Sequence, residues 1–237
     1  MTRILTGAFL LCIAAASFTE MPRAQQPSPT APPELVAPPM PITAIGAAAI
    51  WPAAPHLLNV VKRECRGVED AGGCLASQMA ANGASPDAIG FARLVNNEGY
   101  LRDFRQVGPV SVAYVNYPLR ASENEDFLLV NGEPRMVDVD DQTLWPLQTL
   151  SRDPTYNGLA KRYPKIAVFP GNRDNVQQPL VTHLSVGGQN FIVGYYLLEG
   201  CHGCAHVGTV TFGFHFDPNG KFMGTFLEDV KPISNTD

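Results

Sequence analysis

Between residues 25 and 56 the chain is crowded with proline, as in Gln26-Pro27-Ser28-Pro29-Thr30-Ala31-Pro32-Pro33 and Ala37-Pro38-Pro39-Met40-Pro41. Proline fixes φ and carries no backbone N–H, so such a run sustains neither a helix nor a sheet ladder. It predicts an extended, polyproline-like tether, with a ligand for a proline-binding domain as its other use. The tether divides the sequence into parts that are read separately. Ahead of it, Met1-Thr2-Arg3 precedes an apolar run over residues 4–16. One cation before a short apolar stretch is the layout of a secretory signal, and the run is too short to cross a bilayer as a helix. Residues 1–24 are therefore expected to be a signal peptide, removed between Ala16 and Ala24, with no transmembrane segment in the mature chain. Leu11 stands before Cys12 where a lipidation site wants a small residue.

About 180 residues follow, from Leu57 to Asp237. A chain of that length suits a single domain that buries roughly 70% of the surface it exposes when unfolded. Loss of Arg3, Arg23 and Glu20 with the leader takes the net charge from −5 to −6. A mildly acidic domain without a Lys/Arg cluster argues against nucleic acid or an anionic membrane as partner and admits a basic protein. The mature chain keeps four cysteines, Cys65, Cys74, Cys201 and Cys204. An even count in an exported chain predicts two disulfides, and the local pairs Cys65–Cys74 and Cys201–Cys204 each bracket a short loop. The expected compartment is the periplasm or the exterior.

The domain reads α+β, a helical N-terminal half packed on an antiparallel β-sheet of hairpins. Leu57, Leu58, Val60, Val61 and Cys65 recur at helical spacing, and a second helix is expected from Cys74 to Ala81. Ser85-Pro86-Asp87 is a strong helix start, with a capping hydroxyl followed by proline in the first turn. A further helical turn is read through Tyr100, Leu101 and Phe104, so Cys65–Cys74 would staple two helices. Strands follow from Pro109 onward. Residues 110–115 alternate, and residues 127–130 and 134–139 flank Asn131-Gly132, whose two positive φ values would make a tight hairpin. A helical interlude covers residues 145–162 with Asp153-Pro154 as a second cap pair. Strands resume at residues 166–169, 180–186, 190–198, 207–216 and 221–227, turning at Gly187-Gly188 and at Asp217-Pro218-Asn219-Gly220.

The sharpest motif is Glu199-Gly200-Cys201-His202-Gly203-Cys204-Ala205-His206, between two strong strands. Haem attachment needs a His directly after the second Cys, and Ala205 occupies that place. A catalytic dithiol usually opens a helix whose dipole lowers the first thiol's pKa. This pair precedes a β pattern, although His202 can still favour a thiolate. Zinc is a third use: Cys201, Cys204 and either His202 or His206 are soft ligands, but no second half-site accompanies them. The fourth is a disulfide-pinned loop in which Cys201, Gly203 and Cys204 hold His202 outward, with His206 beside it, as a pre-organised binding element.

Residues 164–226 resemble the core of the periplasmic vertebrate-lysozyme inhibitor family. The shared layout runs through Tyr163-Pro164-Lys165-Ile166-Ala167-Val168-Phe169 and the turn hairpin Val186-Gly187-Gly188-Gln189-Asn190-Phe191-Ile192-Val193. It continues through the Cys…His…Cys tip to Gly220-Lys221-Phe222-Met223-Gly224. In that family the Cys-bounded loop enters the lysozyme cleft and its His contacts the catalytic carboxylates. The resemblance places that role on His202, on a shorter loop with two residues between the cysteines.

No Gly-x-Ser-x-Gly, Ser-x-x-Lys, His-Glu-x-x-His or phosphate-loop pattern occurs, so no catalytic residue and no cofactor is expected. Gly72-Gly73 and Gly187-Gly188 read as turn glycines. Glu123, Glu125, Asp126, Asp138, Asp140 and Asp141 read as a solvated acidic edge, with Ca²⁺ or acid–base work as the other use. His183 and His215 read as hydrogen-bonded strand residues, and Trp145, Tyr195 and Tyr196 as core. Three uses stay open: a protein-binding module, a thiol-redox or zinc protein using Cys201 and Cys204, and a structural envelope protein.

Overall fold

Ala44, Ile45 and Gly46 open the described part of the protein, which in this computed structural model comprises residues 44–122, 124–171 and 179–233. The signal over residues 1–24, the tether up to residue 43 and Glu123 lie outside it. Within the stretch read as tether, Ile45, Ala49 and Trp51 are buried. The folded domain thus begins ahead of Leu57. The physical reason is that the prolines thin out there while large apolar side chains remain. Asn131 fixes this segment through both of its amide atoms, donating to and accepting from the Ile45 backbone at 2.8 Å each.

Three helices follow: α1 (Pro55–Cys65), α2 (Ala71–Ala81) and α3 (Pro86–Leu94). Ser85 caps α3 as expected, its Oγ accepting from the Ala88 N–H at 3.0 Å. Helix α2 starts earlier than expected because the Asp70 carboxylate caps the Gly73 N–H at 2.7 Å. Gly72 and Gly73 are thus first-turn helix residues rather than turn glycines. The Cys65–Cys74 pair, at disulfide distance, joins α1 to α2.

Residues 100–105 form a strand where a helical turn was expected. This strand, β1 (Tyr100–Arg105), pairs antiparallel with β2 (Ser111–Asn116), then come β3 (Glu125–Val130) and β4 (Met136–Asp138), giving a four-stranded sheet in sequence order. Leu101 and Phe104 sit at helical spacing, but a register shift between Leu101 and Asp103 lets both face the helices from a strand. The β3–β4 hairpin forms, with a longer connection than an Asn-Gly turn. Asn131 has φ of 72°, Gly132 is not in the left-handed region, and the Asn131 N–H donates to Arg135 across a loop holding a cis Glu133–Pro134 bond.

Two short helices, α4 (Leu147–Leu150) and α5 (Pro154–Arg162), fill the interlude, the second capped by Asp153 at 2.8 Å from the Tyr156 N–H. The second sheet consists of β5 (Ile166–Pro170), β6 (Leu180–His183), β7 (Gln189–Glu199), β8 (His206–Phe216) and β9 (Phe222–Pro232). Its order is β5-β7-β8-β9, with β6 also on β7, all antiparallel. The fold is therefore α+β with two antiparallel sheets.

The layers follow from strand alternation. One face of the first sheet (Ala113, Val115, Leu128, Val130) packs on α3. Its other face (Val112, Phe127, Leu129) meets Phe191, Tyr195, Phe212 and Phe214 of the second sheet in the main core. The Trp145 indole and the Tyr195 hydroxyl both donate to the buried Val139 carbonyl, which satisfies the two polar heads inside that core. Gln189, only 2% exposed, accepts from the Val110 N–H at 2.8 Å and donates to the Val107 and Val110 carbonyls. The Glu133 N–H and C=O bond to Gly220 and Phe222 at 2.8 and 2.7 Å and clip the sheets together a second time. Among the described residues no helix is long and apolar enough to cross a membrane.

Candidate functional site

Strands β7 and β8 are each eleven residues long and are the central pair of the second sheet. At one end they reach the tip that carries Cys201, His202, Gly203 and Cys204. Residues 200–206 are all exposed. Local chemistry closes this tip tightly. The Glu199 N–H donates to the Ala205 carbonyl and the Cys204 N–H to the Cys201 carbonyl, each at 3.0 Å. Gly200 has φ of 88°, and a Cβ there would stand 3.2 Å from the Lys165 Cβ. The Cys201–Cys204 pair is at disulfide distance with Cα atoms 5.1 Å apart.

The sheet supplies a platform beneath the tip. Phe169 on β5 lies directly opposite Tyr196 on β7. The His202 ring meets the Phe169 ring edge-on with centroids 4.6 Å apart, and the His206 ring lies 4.6 Å from Tyr196. Two aromatic side chains in register thus each carry one imidazole. Tyr196 was expected in the core and belongs to this outer face instead. The reason is the period of two: Tyr195 and Tyr196 are adjacent on one strand, and the 1% exposed Tyr195 takes the inward position. That rule was available in the sequence. The role of Phe169 was not, because it follows from the β5–β7 register.

The geometry bears on each chemistry of Cys201 and Cys204. Joined to each other, the two sulfurs have no thiolate to offer a metal. No helix N-terminus adjoins Cys201, since the pair runs into β8, so the usual dipolar support for a reactive thiolate is missing. Among the described residues no three His, Cys, Asp or Glu side chains gather as a metal set.

The remaining candidates are spread through the fold. His183 is exposed at the end of β6, opposite Gln189. His215 stacks on Phe226 with centroids 4.3 Å apart and faces Glu228 at 3.4 Å on the outer face of the second sheet. The acidic residues do separate jobs. Asp138 and Asp141 accept from nearby backbone N–H groups, Asp126 is buried, and Glu125 accepts from Arg102, Tyr114 and Asn116. A cleft of about 260 Å³ beside Glu125 is walled by Trp51, Tyr100 and Arg102. Burial raises the Tyr100 phenol to about 12, against the smaller opposing effect of Arg102. No protein-family model, curated protein or solved structure matches this chain.

Proposed function

We propose that this chain is an exported, non-enzymatic binding module that engages another protein through the Cys201–Cys204 tip, with a lysozyme as the first partner to test. One observation carries the reading: a cross-linked, exposed tip sets His202 and His206 on an aromatic pair at the end of the central β7–β8 hairpin. A loop ordered before it binds loses little conformational entropy on binding. An imidazole there is a hydrogen-bond donor matched to carboxylates. The acidic net charge favours a basic partner by long-range attraction. The two disulfide pairs suit an oxidising compartment, which supports export.

The test is lysozyme activity with the wild-type protein and with His202→Ala. Inhibition at micromolar excess that His202→Ala removes is the expected result. No inhibition ends the lysozyme version, and a tip variant indistinguishable from wild type in every partner screen ends the tip reading. The redox and zinc alternatives predict direct alkylation of Cys201 and Cys204 without reductant, or co-purified zinc at the tip.

A further inference from the structure

A second cluster stands on the same sheet, built by three strands and independent of the tip. Asn190 on β7, His215 on β8 and Glu228 on β9 converge beside Gly213. Asn190 is directly opposite His215. The Asn190 amide nitrogen donates to Glu228 Oε1 at 2.9 Å, and His215 Nε2 stands 3.4 Å from the same oxygen. Asn190 is only 5% exposed, yet its Oδ1 is buried with no hydrogen-bond partner among the described residues. A buried carbonyl left without a donor costs on the order of 1–3 kcal/mol, so the arrangement wants explanation.

Gly213 shows where these atoms point. A Cβ on Gly213 would lie 2.1 Å from Glu228 Oε1 and 2.7 Å from Asn190 Oδ1. The missing side chain is what lets both oxygens meet over this strand. The groups turned to that spot are a carboxylate oxygen and an amide oxygen, and the His215 imidazole nitrogen stands 3.4 Å from the carboxylate oxygen. The spacing fits a ligand set. Two ligands about 2.1 Å from a tetrahedral Zn²⁺ stand about 3.4 Å apart. That matches the 3.4 Å between His215 Nε2 and Glu228 Oε1, which is longer than an ordinary hydrogen bond. Phe226 holds the imidazole from its other face.

We propose that Asn190, His215 and Glu228 form a binding site for a first-row divalent cation of the zinc type, with a fourth position open on the exposed face of the sheet. Mixed imidazole and oxygen donors select this class over Ca²⁺ or Mg²⁺, which take oxygen shells. The third donor is an amide oxygen rather than an imidazole, thiolate or carboxylate. The site needs no reduced cysteine and operates with both disulfides closed.

Calorimetric titration of the full chain with ZnCl₂ in a non-chelating buffer tests it. One equivalent should bind to wild type and to His202→Ala/His206→Ala alike. His215→Ala and Glu228→Gln should remove binding, and Gly213→Ala should do the same by displacing the Glu228 carboxylate. Asn190→Ala, which removes the third donor, should weaken it by at least roughly tenfold. Absence of binding to wild type overturns the proposal, as does binding that survives His215→Ala or disappears in the tip variant. Should the strand variants fail to fold, the imidazole signals of wild-type His215 decide the matter. They must move at one equivalent of zinc, and unmoved signals end the proposal.

Discussion

The two disulfide pairs of this protein close loops with sequence separations of 9 and 3 residues in opposite surroundings. Cys65 is completely buried and shares a cluster with Val61, Leu75 and Met79, where α1 meets α2. Cys201 and Cys204 are both exposed and belong to none of the buried hydrophobic clusters. One cross-link orders the helical layer from within. The other fixes the conformation of a few surface residues and leaves the core indifferent. The same bond is thus a device of stability in one place and of shape in the other, and burial separates the two.

Breaking each in turn sharpens that contrast. Cys65→Ala/Cys74→Ala should have the largest effect. The chain-entropy contribution of closing so short a loop is about 3 kcal/mol, and the emptied core position at Cys65 adds to it. A fall in the denaturation midpoint of that order measures it, and a loss no greater than at the tip would erase the contrast. Cys201→Ser/Cys204→Ser should cost under about 2 kcal/mol, while partner binding falls further than stability does. The smallest effect is silent at neutral pH and belongs to the helical side. Tyr100 has a folded pKa of about 12 against 10.0 for an ordinary phenol. In that window the unfolded chain releases a proton that the folded chain keeps, so stability is intact below pH 10.0 and declines as pH rises toward 12. Tyr100→Phe should flatten the decline in alkaline unfolding curves, and an unchanged slope would remove Tyr100 as its source.

What could be read from the sequence was what local chemistry decides. Ser85-Pro86 and Asp153-Pro154 start helices because a capping oxygen and a preset φ act within four residues. Gly187-Gly188 and Gly220 turn the chain because their positive φ values suit glycine. Both cysteine pairings were legible from proximity. What was lost depends on partners distant in sequence. Residues 100–105 become a strand because β2 is there to pair with, and Trp51 is buried because Tyr100 offers an edge at 5.0 Å. The tip was visible as a motif, but its footing on Phe169 and Tyr196 required the β5–β7 register. Asn190, His215 and Glu228 meet only through two further registers and a bulged β9, and no pattern in one dimension marks them.

The length of the central hairpin has a mechanical consequence. At about 3.4 Å per residue, an eleven-residue strand is about 37 Å long. Gln189 anchors its near end to the first sheet, and the tip is its far end. The ribbon therefore acts as a stiff arm seated in a socket. A load taken at His202 is passed along β7 and β8 into the flanking strands β5 and β9 and to the two clips between the sheets.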